Sequence, residues 1–235
     1  MPTVPASERL IVALDVPSAN DARALVNELG DSATFYKIGL ELAMAPGFFN
    51  LLDWLKAEDR KVFVDLKFFD IPVTVKRAVA NLAERGADFV TVHGNQGIMQ
   101  AAAEARSGEL KVLGVTALTS LDQGDLDDLG FQCDVAELVL SRARRALQAG
   151  CDGVVSSGLE VAQLRAECEP RLICVTPGIR PVANDDDQKR VMTPTEAIRA
   201  GADYLVVGRP IRDAVQPREA ADAIQAEIAQ ALRQE

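Results

Sequence analysis

The feature that most constrains the fold of this chain is a regular alternation of short apolar runs with longer amphipathic stretches. Eight runs are rich in Val, Ile, Leu, Phe and Tyr, at residues 10–15, 34–38, 61–67, 88–93, 111–117, 153–156, 172–176 and 204–207. Most are almost continuously apolar, which is typical of parallel strands covered on both faces. Helical stretches lie between them, for example at 20–29, 73–85, 95–106, 135–149 and 218–233. Eight such alternations predict an α/β fold of the (β/α)₈ TIM barrel type.

A short repeated segment supports this prediction. Residues 86–88, 150–152 and 201–203 each read Gly, then Ala or Cys, then Asp, and each lies between a helical stretch and an apolar run. Glycine is the natural left-handed residue just after a helix, so the repeat indicates one helix-to-strand turn used three times. Because no proline- or glycine-rich linker divides the 235 residues, we expect one domain over residues 1–235.

Charge and composition exclude several classes of function. The net charge is −10 and the pI is about 4.7, which disfavours nucleic acid and anionic lipid as partners. The longest apolar run, residues 10–14, is far shorter than a membrane span, and residues 1–9 lack the pattern of a signal peptide. The cysteines form no Cys-x-x-Cys pair and are accompanied by one histidine. We therefore expect a cytoplasmic protein with reduced thiols and no zinc site.

Charged residues at the ends of the predicted strands form the candidate catalytic site. Lys37 lies in the second run, Asp65 and Lys67 share one face of the third, and Asp70 follows it. Asp15 closes the first run. Charge inside a barrel is costly and needs a reason. An ion-pair network that only fixes the register is one interpretation, but four alternating charges on neighbouring strands favour a catalytic one.

The chemistry that this Lys–Asp–Lys–Asp set supports is decarboxylation. A lysine between carboxylates stays protonated, so it can deliver a proton to a developing carbanion. A carboxylate held beside a substrate carboxylate repels it, and the repulsion disappears when neutral carbon dioxide leaves.

Two further segments predict a phosphate site. Residues 176–180 follow the seventh run and residues 207–211 follow the eighth. TIM barrels commonly bind phosphate at the loops after these two strands, near a short helix. Gly178 and Gly208 allow a close approach of backbone N–H groups, and Arg180 and Arg209 add forked, charge-assisted contacts. We expect Pro210 at the first position of the short helix, and residues 177–191 as a lid.

The remaining candidates are weaker. For His93 we favour a packed or hydrogen-bonded histidine over an acid–base role. Thr119 follows the fifth run, in an irregular segment spanning residues 119–132, and could donate a hydrogen bond to a ligand ring. Four aspartates in that segment lack the ordered spacing of a calcium loop, so we assign no metal there: Asp122, Asp125, Asp127 and Asp128. No glycine-rich nucleotide motif follows a strand, so no nucleotide cofactor is expected.

Together these motifs resemble the orotidine 5′-phosphate decarboxylase family. The resemblance extends over residues 9–212 and is carried by residues 13–15, 36–39, 65–72, 117–120, 177–180, 187–188 and 207–211. Two positions depart from the pattern within the central motif. Phe69 stands where many members have histidine, and Val73 where many have asparagine. Neither residue belongs to the charged set, so the departures concern local packing.

The resemblance implies a reaction and a role for each motif. The reaction would be decarboxylation of orotidine 5′-monophosphate (OMP) to uridine 5′-monophosphate (UMP) and CO₂, the last step of de novo pyrimidine synthesis, without a metal or organic cofactor. Lys67 would protonate C6, Asp65 would lie against the substrate carboxylate, and Lys37 and Asp70 would complete the network and contact the ribose. The other implied substrate-binding residues are Asp15, Ile71, Thr74, Thr119, Pro177, Arg180, Gln188, Gly208 and Arg209, and Asp70, Ile71 and Thr74 would come from the partner subunit of a homodimer.

Two alternatives remain open. A magnesium-dependent sugar-phosphate lyase of the same suprafamily, such as hexulose-phosphate synthase or keto-gulonate-phosphate decarboxylase, resembles this chain in the Asp-x-Lys-x-x-Asp core. Those enzymes use a carboxylate after the second strand, where Lys37 would here repel a divalent cation. The other alternative is a non-catalytic sensor of a phosphate ligand, which would not need a buried lysine between carboxylates.

Overall fold

Eight parallel strands close into a barrel in the computed structural model, which describes residues 4–181 and 191–233. Each strand pairs with the next, and the eighth pairs with the first. The strands are β1 Leu10–Ala13, β2 Phe35–Gly39, β3 Lys61–Phe68, β4 Phe89–Val92, β5 Lys111–Val115, β6 Gly153–Val155, β7 Ile173–Thr176 and β8 Tyr204–Val207. Every predicted run contains most or all of one strand, so the TIM-barrel prediction is confirmed.

Helices surround the barrel. They are α1 Ala19–Leu29, α2 Leu40–Met44, α3 Phe48–Ala57, α4 Pro72–Glu84, α5 Gln96–Ala105, α6 Gln123–Asp128, α7 Val135–Gln148, α8 Gly158–Glu167, α9 Pro194–Arg199, α10 Arg209–Arg212 and α11 Pro217–Leu232. Short 3₁₀ turns at Ala6–Glu8 and Gly30–Ser32 precede β1 and β2. In the two ranges that the structure describes, no helix is both long enough and apolar enough to cross a membrane.

Two sequence predictions about these helices need correction. Residues 119–132 are not wholly irregular, because α6 forms within them. Asp122 accepts the Asp125 N–H and Asp125 accepts the Asp122 N–H, which is a capping box that starts the helix. These aspartates thus have a structural role. Pro210 is the second residue of α10, not the first, because the helix begins at Arg209.

Two apolar layers hold the barrel together. The outer layer lies between the sheet and the helices, and it includes Val62, Val64, Val90 and Val92. The inner layer lies inside the barrel, where aromatic rings pack edge to face at centroid distances of 5.0–5.9 Å. These rings belong to Phe35, Phe63, Phe89 and Tyr204. Because strand side chains alternate between faces, the next inward positions on β2, β3 and β4 are Lys37, Asp65 and Thr91. A polar layer therefore lies directly above the aromatic one.

The Gly–x–Asp repeat makes the same turn three times at the other end of the barrel. Its glycines have φ of 75°, 88° and 100°, in the left-handed region that suits glycine after a helix. Each aspartate accepts a backbone N–H from the preceding strand at 2.7–2.9 Å and pairs with a cation from a helix or its end. The three sets are Asp88 with Val62 and Lys56, Asp152 with Val112 and Arg106, and Asp203 with Cys174 and Arg165. The repeat thus joins strands to helices away from the mouth.

Candidate active site

A cavity of about 500 Å³ opens at the C-terminal end of the barrel. Inward-facing apolar side chains form its floor, namely Ala13, Phe63, Val115, Val155 and Val206. The ends of β1, β2 and β3 contribute four charged residues, Asp15, Lys37, Asp65 and Lys67. The segments that follow β5, β7 and β8 contribute Thr119, Pro177, Gly178, Arg180, Gly208 and Arg209. The cavity therefore combines an apolar base, a charged wall and an arginine-bearing rim.

The Asp65 carboxylate lies between two ammonium groups. Lys67 Nζ donates to Asp65 Oδ1 at 3.0 Å, and Lys37 Nζ lies 3.7 Å from Asp65 Oδ2. Lys37 Nζ also donates to Asp15 Oδ1 at 2.9 Å. The Lys37 and Asp65 side chains are 11% and 12% exposed, whereas that of Lys67 is 37% exposed. Lys67 is thus the ammonium of this network that is most accessible from the cavity.

Asp65 is held in its ionised form. Burial by itself would raise the pKa of its carboxyl group, but the charges of Lys37 and Lys67 oppose this effect. Hydrogen bonds from Lys67 and Thr91 act in the same direction as these charges, and the net result is a lowered pKa. The carboxylate is therefore negative at neutral pH.

Lys67 reaches this network through an irregularity in β3. The strand pairs regularly with β4 at Phe63 and Val64, and the register then shifts before pairing resumes at Phe68. Lys67 has φ of 49°, in the left-handed region that residues other than glycine rarely adopt. The sequence argument placed Asp65 and Lys67 on one face by simple alternation. The structure brings them together, but through a bulged segment.

Gly39 makes room for the same charges. A Cβ atom at this position would lie 3.0 Å from Lys37 Nζ and 3.2 Å from Asp15 Oδ1. Both contacts are tighter than ordinary van der Waals separation, so a side chain here would displace the Lys37–Asp15 ion pair. The glycine that ends β2 is therefore part of the site's construction.

Asp70 does not join the network within this chain, and the family resemblance assigns it to the site of a partner subunit. Its carboxylate is exposed and accepts the Ile71 N–H at 2.6 Å. β3 ends at Phe68 and Pro72 begins α4, so Asp70 lies on the loop that joins them. Ile71 and Thr74 are exposed beside it. Within one chain, Asp15 is the second carboxylate on Lys37.

The rim after β7 contains a buried arginine. Arg180 is 5% exposed, and its guanidinium donates to the Ile179 carbonyl at 2.9 Å. Backbone bonds from Arg180 N to Met192 O and from Met192 N to Gly178 O hold together the two ends of the predicted lid. Gln188 and residues 182–190 as a whole lie outside the described residues.

Two residues at the site escaped the sequence reasoning. Arg212 lines the cavity, donates to the Asp15 carbonyl at 2.7 Å and pairs with Asp213. Arg212 lies one helical turn after Gly208, and this spacing could have indicated that it faces the same site. Thr91 bonds both Asp65 and Lys67. A polar residue at an inward position of an otherwise apolar strand was its signal.

His93 lies at the end of β4 as predicted, but outside the set of cavity-lining residues. Its ring packs edge to face on Phe69 at 5.8 Å. Burial lowers its pKa, and the positive charges of Arg142 and Lys67 lower it further. The side chain is therefore neutral at physiological pH.

Fold and site together define a class, that of TIM-barrel enzymes with a Lys–Asp–Lys centre beneath an arginine-bearing rim. The family model described as "Orotidine 5'-phosphate decarboxylase / HUMPS family" matches residues 8–224, and this chain belongs to that family.

Relatives and solved structures agree with this assignment. The chain is 65% identical over 227 residues to an orotidine 5′-phosphate decarboxylase from Methylococcus capsulatus, covering 96% of this chain and 93% of that protein. It is 53% identical over 230 residues to one from Nitrobacter winogradskyi, covering 97% and 95%. The crystal structure of orotidine 5′-phosphate decarboxylase from Lactobacillus acidophilus superposes with a TM-score of 0.83 at 35% identity, covering 94% of this chain and 99% of that one.

Proposed function

We propose that this protein decarboxylates OMP to UMP and CO₂, the last step of de novo UMP biosynthesis, with Lys67 as the proton donor to C6. The observation that carries the proposal is the Asp65 carboxylate held between Lys37 and Lys67 in the wall of a cavity of about 500 Å³. Family membership and relatives with this name support the same reaction.

Asp65 and Lys67 divide the chemistry between them. A substrate carboxylate beside Asp65 meets a fixed negative charge, and this repulsion is lost in the transition state as neutral CO₂ forms. When the bond from C6 to the carboxylate breaks, its electron pair stays on C6. Lys67 Nζ–H then transfers its proton to C6, giving UMP, and the neutral amine recovers a proton from solvent. No oxidant or reductant enters this balance.

Lys37 and the rim residues have supporting roles in the proposal. Lys37, paired with both Asp15 and Asp65, keeps the centre close to electrical balance and contacts the ribose together with Asp15. Arg180 and Arg209, with Pro177 and Gly208, hold the phosphate at the rim, and Thr119 faces the pyrimidine ring. The family resemblance assigns a further phosphate contact to Gln188, which lies outside the described residues.

The magnesium-dependent lyase is not favoured. A divalent cation beside Asp65 would meet the Lys37 ammonium 3.7 Å from the same carboxylate, and like charges at that range repel. The reported relatives also carry the name of the decarboxylase.

An absorbance assay tests the proposed function directly. We expect the purified protein to consume OMP, with UMP as the product on chromatography, at a rate that a chelator leaves unchanged. Loss of activity on chelation would favour the lyase chemistry. Tight binding of UMP with no turnover of OMP would indicate a sensor.

We further propose that the protein acts as a homodimer in which Asp70, Ile71 and Thr74 complete the partner's site. Three apolar side chains surround Asp70 at the mouth and are unusually exposed, Phe69 at 70%, Ile71 at 63% and Val73 at 48%. Such a patch beside an active site is typical of a subunit interface. A second copy of this chain would cover it and bring Asp70 towards Lys37 and Lys67. Phe69 and Val73, which depart from the family pattern, lie in this patch.

Mixing inactive variants tests the shared site. K67A and D70N each lack one component, but a mixed dimer would contain one intact site. We expect recovery of about a quarter of wild-type activity from an equal mixture that re-equilibrates, because half the dimers are mixed and each has one working site of two. K67A mixed with D65N is the matched control. Lys67 and Asp65 both contribute to the site of their own chain, so every site in a mixed dimer still lacks one of them. Equal recovery in both mixtures, or none in the first, would contradict the shared site.

We place the protein in the cytoplasm. Its four cysteines, Cys133, Cys151, Cys168 and Cys174, are free thiols. Burial raises the pKa of Cys151 and Cys174 to about 12, so both are protonated and unreactive. Such thiols suit a reducing compartment. Cell fractionation with an antibody against the chain tests this assignment.

A further inference from the structure

Thr91 is a buried polar residue that the proposed chemistry does not use. It lies on β4 with no solvent exposure, between the outward-facing Val90 and Val92. Its side chain points into the barrel, one layer above the Phe89 ring. It is not among the residues that line the cavity. A ligand in the cavity therefore does not reach it, and any role must act through its neighbours.

The Thr91 hydroxyl makes two hydrogen bonds, one as acceptor and one as donor. It accepts the Lys67 backbone N–H at 2.9 Å and donates to Asp65 Oδ1 at 2.8 Å. The same Asp65 oxygen accepts the Lys67 ammonium at 3.0 Å. One hydroxyl thus holds the backbone of Lys67 and the carboxylate that orients the Lys67 side chain.

These bonds occur where the sheet is interrupted. Between the pairs Val64–Val90 and Phe68–Val92, β3 advances four residues while β4 advances two. Thr91 is the only β4 residue opposite the bulged segment that contains Asp65 and Lys67. In a regular ladder a backbone carbonyl would accept the Lys67 N–H. Here the side-chain hydroxyl takes that place, and it supports a left-handed backbone that lysine rarely adopts.

We propose that Thr91 is a positioning residue for the reaction, whose hydroxyl holds the β3 bulge so that the Lys67 ammonium and the Asp65 carboxylate meet the substrate in register. The kinetic part of this inference rests on the proposed decarboxylase function. The structural part does not. The proposed role needs one side-chain group that both accepts and donates a hydrogen bond. Serine keeps the hydroxyl of threonine, whereas valine has nearly the volume of threonine but no hydroxyl.

Three variants separate the hydroxyl from the shape of the side chain. We expect T91V to lower kcat by ~10- to 100-fold, the range for a small misplacement of reacting groups, with KM changed by less than about threefold. T91A should behave alike, and T91S should restore kcat to within about threefold of wild type. T116V is the matched control. It removes another buried threonine hydroxyl, bonded to the Val155 carbonyl at 2.8 Å, outside the charged network.

Wild-type kcat in T91V would overturn the proposal. So would T91S as impaired as T91V, because volume rather than hydrogen bonding would then matter. If T91V fails to fold, T91A and T91S decide the same question, with thermal unfolding as the check on each.

A measurement on the free protein keeps this test independent of the reaction. Amide hydrogen exchange at Lys67, followed by NMR, should accelerate in T91V and T91A but not in T91S or T116V, because only the first two remove its acceptor. Unchanged exchange at Lys67 would overturn the structural part even in an active enzyme. If the wild-type protein fails to convert OMP, the proposed function is wrong. The exchange measurement still tests whether Thr91 holds the Lys67 backbone, because it does not depend on turnover.

Discussion

Lys67 Nζ lies 3.0 Å from Oδ1 of Asp65, two residues earlier in the same strand. The carboxylate is the more buried partner, at 12% exposure of its side chain against 37% for the lysine. A buried acceptor therefore orients a more accessible donor at the cavity. This arrangement suits a residue that must release a proton to a ligand and then recover it from solvent.

Replacing Lys67 should remove decarboxylation and leave the fold intact. We expect K67A to lose at least ~10³-fold in kcat, because the other ammonium beside Asp65, that of Lys37, is only 11% exposed and is also paired with Asp15. Asp65 keeps Lys37 and Thr91 as partners, so the thermal midpoint should shift by no more than about 5 °C. Steady-state kinetics and calorimetry measure both. K76A, which removes an exposed lysine paired with Glu104, is the control. Near-normal conversion of OMP by K67A would exclude Lys67 as the donor.

Arg209 should influence turnover as well as affinity. It lines the cavity beside Gly208, far along the chain from the charged centre. Binding energy from a group that does not react can offset the cost of placing a substrate carboxylate near Asp65. We therefore expect R209A to raise KM and to lower kcat, each by ~10-fold or more. R218A, an exposed arginine on α11, should change neither. A rise in KM alone would show that Arg209 contributes only uniform binding.

His93 should make the protein less stable in mild acid. Its pKa is below the ordinary value of 6.5 in the folded state, so below pH 6.5 the unfolded chain binds more protons than the folded one. The free energy of unfolding should thus fall as the pH decreases from 6.5 towards the folded pKa. The chain has one histidine, which makes this window simple to interpret. Urea unfolding at about pH 7.5 and about pH 5.5 should show a smaller difference for H93N than for wild type. Identical differences would contradict the assignment.

The Gly–x–Asp turns should matter for stability and not for catalysis. Asp203 accepts the Cys174 N–H at 2.8 Å and pairs with Arg165, and both charged side chains are largely buried. Removing the carboxylate leaves the buried Arg165 guanidinium without its counter-ion and the Cys174 N–H without its acceptor. We expect D203A to cost roughly 2–4 kcal/mol in the free energy of unfolding. The control D53A removes an exposed partner of Arg85 and should cost less than about 1 kcal/mol. Activity per folded molecule should be unchanged in both, and a loss of kcat in D203A would show coupling to the mouth.

The sequence could predict much of the barrel because its signals are local. A run such as 204–207 is apolar enough to be buried on both faces, and helices such as α7 follow from their own periodicity and capping residues. Once eight strands alternate with helices, their C-terminal ends must meet at one mouth. Lys37, Asp65 and Lys67 could therefore be assigned to a common site from their positions alone.

Only the tertiary structure decided how those charges are connected. The β3 bulge, the hydroxyl of Thr91 beneath it and the pairing of Lys37 with Asp15 all depend on the register between strands that are distant in sequence. Register is set by the packing of the whole barrel, since a shift of one residue reverses every side chain of a strand. Local patterns thus determined which residues reach the mouth, and the closed sheet determined which of them touch.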